Sequence, residues 1–224
     1  MWTPPEAPGP EHQLLFVGGL HRSGTTPLAR ALAEHPDASG FSGTGVEEDE
    51  GQHLQDVYPA AYALGGPGRF ARKPASHLTE ESALATPDSA ARLWTSWKPF
   101  WNLDKRILIE KSPSNLVMTR FLQALFPDAA FLMIVRHPVV VTLSTAKWAP
   151  RTPLPLVMDN WFVAHDRLRA DLPHLSRAKV ITYEALTRRP AETVAGVGDF
   201  LGLSTAVPHE SLRGDRSSVY EQQW

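Results

Sequence analysis

Residues 18–26 contain the residue types that bind an anion. Their sequence is GGLHRSGTT, in which Gly19 and Gly24 are five positions apart, as in loops that hold nucleoside triphosphates. Thr25 stands where those loops have the lysine that reaches the β- and γ-phosphates. Backbone N–H groups, the Thr25 and Thr26 hydroxyls and the Arg22 cation remain to bind a phosphate or sulfate. The pattern therefore predicts an anion site, and the alternative is a plain turn between a strand and a helix.

Three more polar residues follow apolar segments that are typical of buried strands. Lys111 and Tyr183 each come just after such a segment, and Arg136 ends the wholly apolar run at 130–135. Ser144 follows Arg136 by eight residues, about two turns along the helix expected from Pro138. Arg136 and Ser144 are therefore expected to converge on one anion.

A run of acidic residues lies between these two regions. Glu47, Glu48, Asp49 and Glu50 are consecutive, which is typical of a solvated loop. The residues that follow Glu50 include His53, and this mixture suits the wall of a polar pocket. One histidine beside adjacent acids lacks a convincing metal-ligand spacing, so no metal site is predicted.

Strand and helix patterns alternate four times along the chain. This order predicts an α/β fold, a three-layer sandwich whose central parallel sheet has four to five strands. The carboxyl ends of parallel strands share one edge, so all the candidate residues are expected to meet there. Strands are expected at 14–17, 106–109, 130–135 and 179–182, and helices at 25–34, 86–100, 112–126, 138–148, 156–172 and 191–201. Residues 59–77 are expected to be irregular, and Trp94, Trp97 and Trp101 to be core residues or, alternatively, part of an acceptor cleft.

Composition limits the class of protein. The chain has 224 residues and a net charge of −2, and this charge gives no indication of nucleic-acid binding. It has no cysteine, which excludes disulfides and thiolate metal sites. No apolar run reaches membrane-spanning length, and the proline-rich start lacks the apolar core of a signal peptide. We expect a disordered lead-in at 1–13, a single domain at 14–224 and a cytoplasmic location; the oligomeric state is not readable from the sequence.

Taken together, the motifs resemble the sulfotransferases that use 3′-phosphoadenosine 5′-phosphosulfate (PAPS). The family's 5′-phosphosulfate loop reads K/R-S-G-T-T, and residues 22–26 match it. Its 3′-phosphate motif has an arginine eight residues before a serine, as Arg136 and Ser144 do. EKSP at 110–113 is similar to a strand-end motif of the carbohydrate and heparan branches, and YEAL at 183–186 is similar to a second strand end of the family.

The resemblance, which spans about residues 14–201, implies a P-loop-like sulfotransferase fold, PAPS as co-substrate, PAP as product and no metal. It implies an acceptor hydroxyl on a small molecule, glycan or natural product, with residues 59–105 as a loop and helix insertion on the acceptor side. Arg22 and Lys111 would stabilise charge as PAP leaves. The cofactor-binding residues would be Arg22, Ser23, Gly24, Thr25, Thr26, Arg136, Ser144, Tyr183, Arg213 and Arg216.

The resemblance also implies a general base after the first helix. Glu50 aligns best with the glutamate of the carbohydrate-type enzymes, His53 is the second choice and Glu48 the third. Asp49 replaces the family's lysine and His53 its aromatic residue, so the assignment is a hypothesis. Two alternatives stay open, a P-loop kinase of small substrates, which the missing lysine disfavours, and a PAP-binding homologue without turnover.

Overall fold

The computed structural model describes residues 8–212 and 217–221. Its centre is a parallel sheet of five strands in the order β2-β3-β1-β4-β5. The strands are β1 (Gln13–Gly18), β2 (Ala38–Gly40), β3 (Ile107–Lys111), β4 (Ala130–Val135) and β5 (Ala178–Thr182). The helices are α1 (Thr25–Ala33), α2 (Pro87–Trp97), α3 (Thr119–Leu125), α4 (Pro138–Ala146), α5 (Leu154–Asp171), α6 (Tyr183–Arg188), α7 (Pro190–Leu201) and α8 (Ser218–Glu221).

Alternate residues of β1 point to two separate cores, one on each face of the sheet. Leu15 and Val17 pack with α1 and α7, whereas Leu14 and Phe16 pack with α2, α3 and α5. This alternation is the two-residue period of a strand covered on both sides. The three-layer α/β sandwich with a parallel sheet is confirmed. The predicted site residues of the loop, Lys111 and Arg136 lie at the carboxyl ends of β1, β3 and β4.

The strand β2 was not expected from the sequence. It has only three residues, it includes Ser39 and Gly40, and it pairs on one side only, with β3. Serine and glycine give little strand signal, and a short edge strand depends on its neighbour rather than on its own pattern.

The helix expected at 112–126 is wrong in its first half. Residues Pro113–Val117 form a 3-10 turn, and α3 begins only at Thr119. Ser112 does not cap a helix, because its hydroxyl donates to Glu110 and accepts from the Gln52 N–H. The Asn115 amide donates to the Val17 carbonyl at the end of β1, which holds the turn against the sheet.

A short helix, α6, interrupts the segment between β5 and the last predicted helix. The Thr182 hydroxyl caps it by accepting the Ala185 N–H, and Pro190 ends it because the residue before a proline disfavours helical torsion angles. By contrast, Thr86 caps α2 as expected, accepting the Ser89 N–H at 3.1 Å.

The three tryptophans of the second layer are core residues. Trp94, Trp97 and Trp101 are each less than a tenth exposed, and none of them lines the cavity described below. The indole N–H of Trp97 donates to the Gly51 carbonyl, and that of Trp101 to Ile109. Within the described part of the chain, no helix is long and apolar enough to cross a membrane.

Candidate active site

The loop between β1 and α1 is shaped by two residues with positive φ. Gly24 has φ 97°, and a side chain there would also meet the Tyr183 ring at 2.7 Å, so this position requires glycine. Arg22 has φ 71°, which is unfavourable for a residue with a side chain. The first turn of α1 follows directly, and its N–H groups have no acceptor within the helix. The result is a strained loop that presents backbone donors at a helix N-terminus, as the anion-site prediction requires.

A cavity of about 450 Å³ opens over this loop. Arg22, Gly24, Thr25 and Thr26 of the loop and helix start line it, and so do Glu50, Arg136 and Tyr183. Glu48, the third choice for the base, lines it too, and the rest of the wall includes residues to which the sequence analysis gives no role, among them His21, Arg30, Glu47, Tyr62 and Trp148. The sequence-predicted loop, strand ends and acidic segment therefore meet at one cavity. A larger groove of about 820 Å³ lies at the opposite sheet edge, near Gln13 and Ala129, and none of the described site residues lines it.

Glu50 and Lys111 form a buried ion pair beside the cavity. The Lys111 Nζ lies 3.1 Å from Glu50 Oε1 and donates to the Glu48 carbonyl at 2.8 Å. The second oxygen, Glu50 Oε2, accepts from the Gln52 side chain at 2.6 Å. His53 Nε2 lies 3.7 Å from the same oxygen, too far for a hydrogen bond. Both oxygens of Glu50 are therefore oriented by fixed donors.

His21 is a neutral group in the cavity wall. Burial, together with smaller effects of the nearby Lys111 and His53, lowers the pKa of His21 to about 4. Among the described residues, its Nδ1 has no hydrogen-bond partner. The only sequence signal for His21 is its place inside the glycine-rich loop.

Arg136 and Ser144, which are expected to converge on one anion, are joined through Arg22. The Ser144 hydroxyl accepts from the Arg22 Nε at 2.8 Å, and Arg136 donates to the Arg22 carbonyl at 2.8 Å. Arg22 therefore lies between them and joins the loop to α4. The Arg22 guanidinium also stacks on Trp148, 4.5 Å from the ring centroid. Trp148 is one turn beyond Ser144, so an i, i+4 argument could have found it.

The aromatic ring of Tyr183 packs against the guanidinium of Arg136. The Arg136 guanidinium lies over the Tyr183 ring at 3.8 Å, a favourable cation–π contact for a buried arginine. The neighbouring Glu184 accepts the His137 N–H at 3.0 Å, at the start of α4. The tyrosine and glutamate of the 183–186 motif thus hold both the arginine and the helix after it.

The C-terminal residues also contact this region. Ser217 is fully buried, and its hydroxyl accepts from Arg136 at 3.0 Å. A hydrogen bond with Ser144 lowers the pKa of Tyr220, whose hydroxyl also accepts from Lys147 at 3.4 Å. Arg213 and Arg216 lie outside the described residues. Sequence reasoning had chosen the arginines of this segment and missed Ser217 and Tyr220.

The arrangement separates charge across the cavity. Arg22 and Arg136 lie beside α4, which follows β4. Glu47, Glu48 and Glu50 form an acidic wall on the side of β3, where Glu50 pairs with Lys111 and Arg30 pairs with Glu48. Ser23 is fully buried, and its hydroxyl has no partner among the described residues. The arginine side, the backbone donors of α1 and the Ser23 hydroxyl suit a phosphorylated and sulfated nucleotide. Within residues 8–212 and 217–221, no group of three or more histidine or carboxylate side chains could hold a metal ion.

Known proteins share this fold and sequence pattern. A family model described as the sulfotransferase family matches residues 15–206. Protein-tyrosine sulfotransferase 2 of Gallus gallus is 24% identical over 220 residues, 93% of this chain and 57% of the relative. The chain spans about half the length of the curated relatives it matches.

Two solved structures have the same fold. A sulfotransferase from Alicyclobacillus acidocaldarius superposes with a TM-score of 0.59 at 18% identity, covering 95% of this chain and 90% of that one. A mouse sulfotransferase complexed with PAP superposes with a TM-score of 0.51 at 13% identity, covering 97% and 65%. Because the family model covers most of the sequence, this chain belongs to the sulfotransferase family.

Proposed function

We propose that this protein transfers the sulfuryl group of PAPS to a hydroxyl of a small molecule, glycan or natural product and releases PAP. The observation that carries the proposal is the buried Glu50–Lys111 pair beside the anion-binding loop, because Glu50 lines the same cavity as Arg136. The pair combines a proton acceptor with a cation, the two groups that such a transfer needs.

The donor side of the cavity fits PAPS. Arg22, Thr25, Thr26 and the N-terminal backbone of α1 would hold the phosphosulfate, and Ser23 would contribute its buried hydroxyl. Arg136 and Ser144 would bind the 3′-phosphate. Arg22 connects the two, because its carbonyl accepts from Arg136 and its side chain donates to Ser144. The mouse sulfotransferase that shares the fold was solved in complex with PAP, which supports PAP as the product. Tyr183 would keep Arg136 in place, and Arg213 and Arg216 remain candidates for closing over the nucleotide.

Glu50 is the proposed general base. Its carboxylate lines the cavity, where it can take the proton of the acceptor hydroxyl as the oxygen attacks. His53 does not line the cavity and stays the second choice. When bound, PAPS supplies a sulfuryl group whose bond to the 5′-phosphate oxygen breaks as the bond to the acceptor oxygen forms.

Lys111 and Arg22 would stabilise the charge that develops during the transfer. A fixed ammonium in a dry site stabilises such charge without reorganising, by analogy with phosphoryl transfer. Lys111 is 6% exposed, so it is shielded from bulk water. No divalent metal is part of this proposal. The cytoplasmic location expected from the sequence stays a prediction.

The acceptor would enter over the acidic wall. Glu47 and Tyr62 line this side of the cavity, and burial and the nearby Glu47 raise the pKa of Tyr62, so its hydroxyl is a neutral donor. These groups would bind polar substituents of the acceptor and leave the class of hydroxyl compound open.

The test is PAP release from PAPS across a panel of phenols, sugars and alcohols, with chelator present. The proposal expects acceptor-dependent PAP release by the wild type and at least a 100-fold loss in Glu50→Gln, as is common for an essential acid–base group. Unchanged turnover in Glu50→Gln would remove Glu50 as the base. A parallel assay replaces the chelator and PAPS by magnesium and ATP, and magnesium-dependent transfer from ATP without PAPS turnover would favour the kinase alternative.

A further inference from the structure

A buried glutamate next to Lys111 holds the segment that follows Glu50. Glu110 is 1% exposed and lies one residue before Lys111 at the end of β3. Its Oε1 accepts the Gly51 N–H at 3.0 Å and the Ser112 hydroxyl at 2.6 Å. The Ser112 oxygen in turn accepts the Gln52 N–H at 3.0 Å. The two backbone N–H groups that follow Glu50 are thus held by one carboxylate, one directly and one through a hydroxyl.

Gly51 is fixed from its other side as well. Its carbonyl accepts the Trp97 indole N–H at 3.0 Å, and a β-carbon at this position would lie 2.5 Å from Glu110 Oε1. The peptide that carries Glu50 into the cavity is therefore clamped between β3 and α2. The contact requires glycine, because the carboxylate occupies the space of a side chain.

The same network reaches the side chain of Glu50. Gln52, whose backbone is held through Ser112, donates from its side chain to Glu50 Oε2 at 2.6 Å. The far end of the network is Asn115, which donates both to Glu110 and to the Val17 carbonyl at the end of β1. A chain of hydrogen bonds therefore connects the strand before the anion-binding loop with the carboxylate of Glu50.

We propose that Glu110 is a positioning residue for Glu50, acting through Gly51, Ser112 and Gln52. This inference rests on the proposed role of Glu50 in sulfuryl transfer. Glu110 does not line the cavity and so does not touch the acceptor. An ionised carboxylate accepts hydrogen bonds only, and all three neighbours of Glu110 are used as donors to it. The network is complete when Glu110 is ionised.

Protonation of Glu110 would break this arrangement, since a neutral carboxyl must also donate. The pKa of Glu110 is raised to about 7, and burial is the largest cause. The hydrogen bonds from Ser112 and Asn115 and the charge of Lys111 act in the opposite direction, whereas the charge of Glu50 raises the pKa further. Tyr58 also faces Glu110, and burial and the charge of Glu110 raise the pKa of Tyr58. Substitution by glutamine imitates the protonated form, because the amide keeps one acceptor and adds a donor.

The experiment compares Glu110→Gln and Ser112→Ala with His35→Ala. His35 is a matched control, a buried side chain that accepts the Asp37 N–H after α1, at the opposite edge of the sheet. For each variant, thermal unfolding, PAP affinity by calorimetry and PAP release from PAPS with a responsive acceptor are measured between pH 6 and 9.

We expect Glu110→Gln to bind PAP within about twofold of the wild type and to turn over about 10- to 100-fold more slowly at pH 8, since small misplacement of a reacting group has effects of this size. Its rate should be flat where the wild-type rate rises around pH 7, and Ser112→Ala should show a smaller loss. His35→Ala should keep the wild-type rate and profile even if its melting temperature falls.

The double variant Glu50→Gln/Glu110→Gln separates the two proposals. If Glu110 acts through Glu50, the second substitution adds no further loss to the first. Wild-type rate and pH profile in Glu110→Gln would overturn the positioning role. Unchanged turnover in Glu50→Gln together with a loss in Glu110→Gln would instead overturn the proposed function of Glu50.

Discussion

The ammonium of Lys111 lies 3.1 Å from the Glu50 carboxylate, and both side chains are at least nine-tenths buried. A buried ion pair contributes little net stability, because desolvation of the two charges offsets their attraction. Removal of one partner is costly, however, since the other charge stays buried without compensation. The pair is therefore better explained by chemistry at the cavity than by a need for stability.

Lys111→Met should lower the free energy of unfolding by about 3 to 5 kcal/mol, because Glu50 then remains as an unpaired buried charge. Adding Glu50→Gln should recover most of this loss, while turnover stays absent. Urea denaturation of the two single variants and the double variant measures the coupling. Additive losses would mean that the two side chains do not interact in the folded protein.

The backbone of Arg22 offers a test of strain in the loop. Its φ of 71° disfavours any residue with a β-carbon, so Arg22→Gly should be more stable than Arg22→Ala by about 1 kcal/mol. Both variants remove the guanidinium and should lose turnover alike. Chemical denaturation compares their stabilities, and equal stability of the two would contradict the loop conformation.

Arg136→Gln should weaken PAP binding about 10- to 100-fold, the effect expected for the loss of charge-assisted hydrogen bonds to a phosphate. Arg92→Gln is the control, since Arg92 is exposed on α2, away from the cavity, and pairs with Asp56. Isothermal titration measures both affinities. Equal PAP affinity in the two variants would exclude Arg136 from the nucleotide site.

Glu110 should also make stability depend on pH. Burial raises its pKa from the usual 4.5 to about 7, so between these values the folded protein keeps a proton that the unfolded chain has released. The wild type is therefore expected to lose stability as the pH rises through this range. Glu110→Gln removes this dependence. Between pH 5 and 8, the difference in free energy of unfolding between the variant and the wild type should therefore shift by about 2 to 3 kcal/mol in favour of the variant. A difference between the two proteins that is constant with pH, in urea denaturation, would contradict the raised pKa.

Local sequence patterns were enough to predict the sheet and the loop. The apolar runs before Gly18 and Arg136 predict buried strands. Gly19, Gly24 and Thr25 indicate the kind of turn between β1 and α1. The strand β2 was missed because a three-residue edge strand has no pattern of its own.

The contacts within the site could not be predicted in the same way. The Gly51 contact with Glu110 joins residues 59 positions apart, and the Arg22 contact with Ser144 joins residues 122 apart. Such pairs depend on how strands and helices pack, which spacing within one motif does not determine. The roles assigned to the individual site residues stay predictions.

The most direct test of the account is a calorimetric titration of the purified protein with PAP, with adenosine 5′-monophosphate and ATP–Mg²⁺ as comparison ligands. The account expects PAP to bind in the micromolar range and at least about tenfold more tightly than the monophosphate, because Arg136 discriminates the 3′-phosphate by a charge-assisted hydrogen bond. Binding of ATP–Mg²⁺ with no response to PAP would contradict the assignment of this cavity to a PAPS-dependent sulfotransferase.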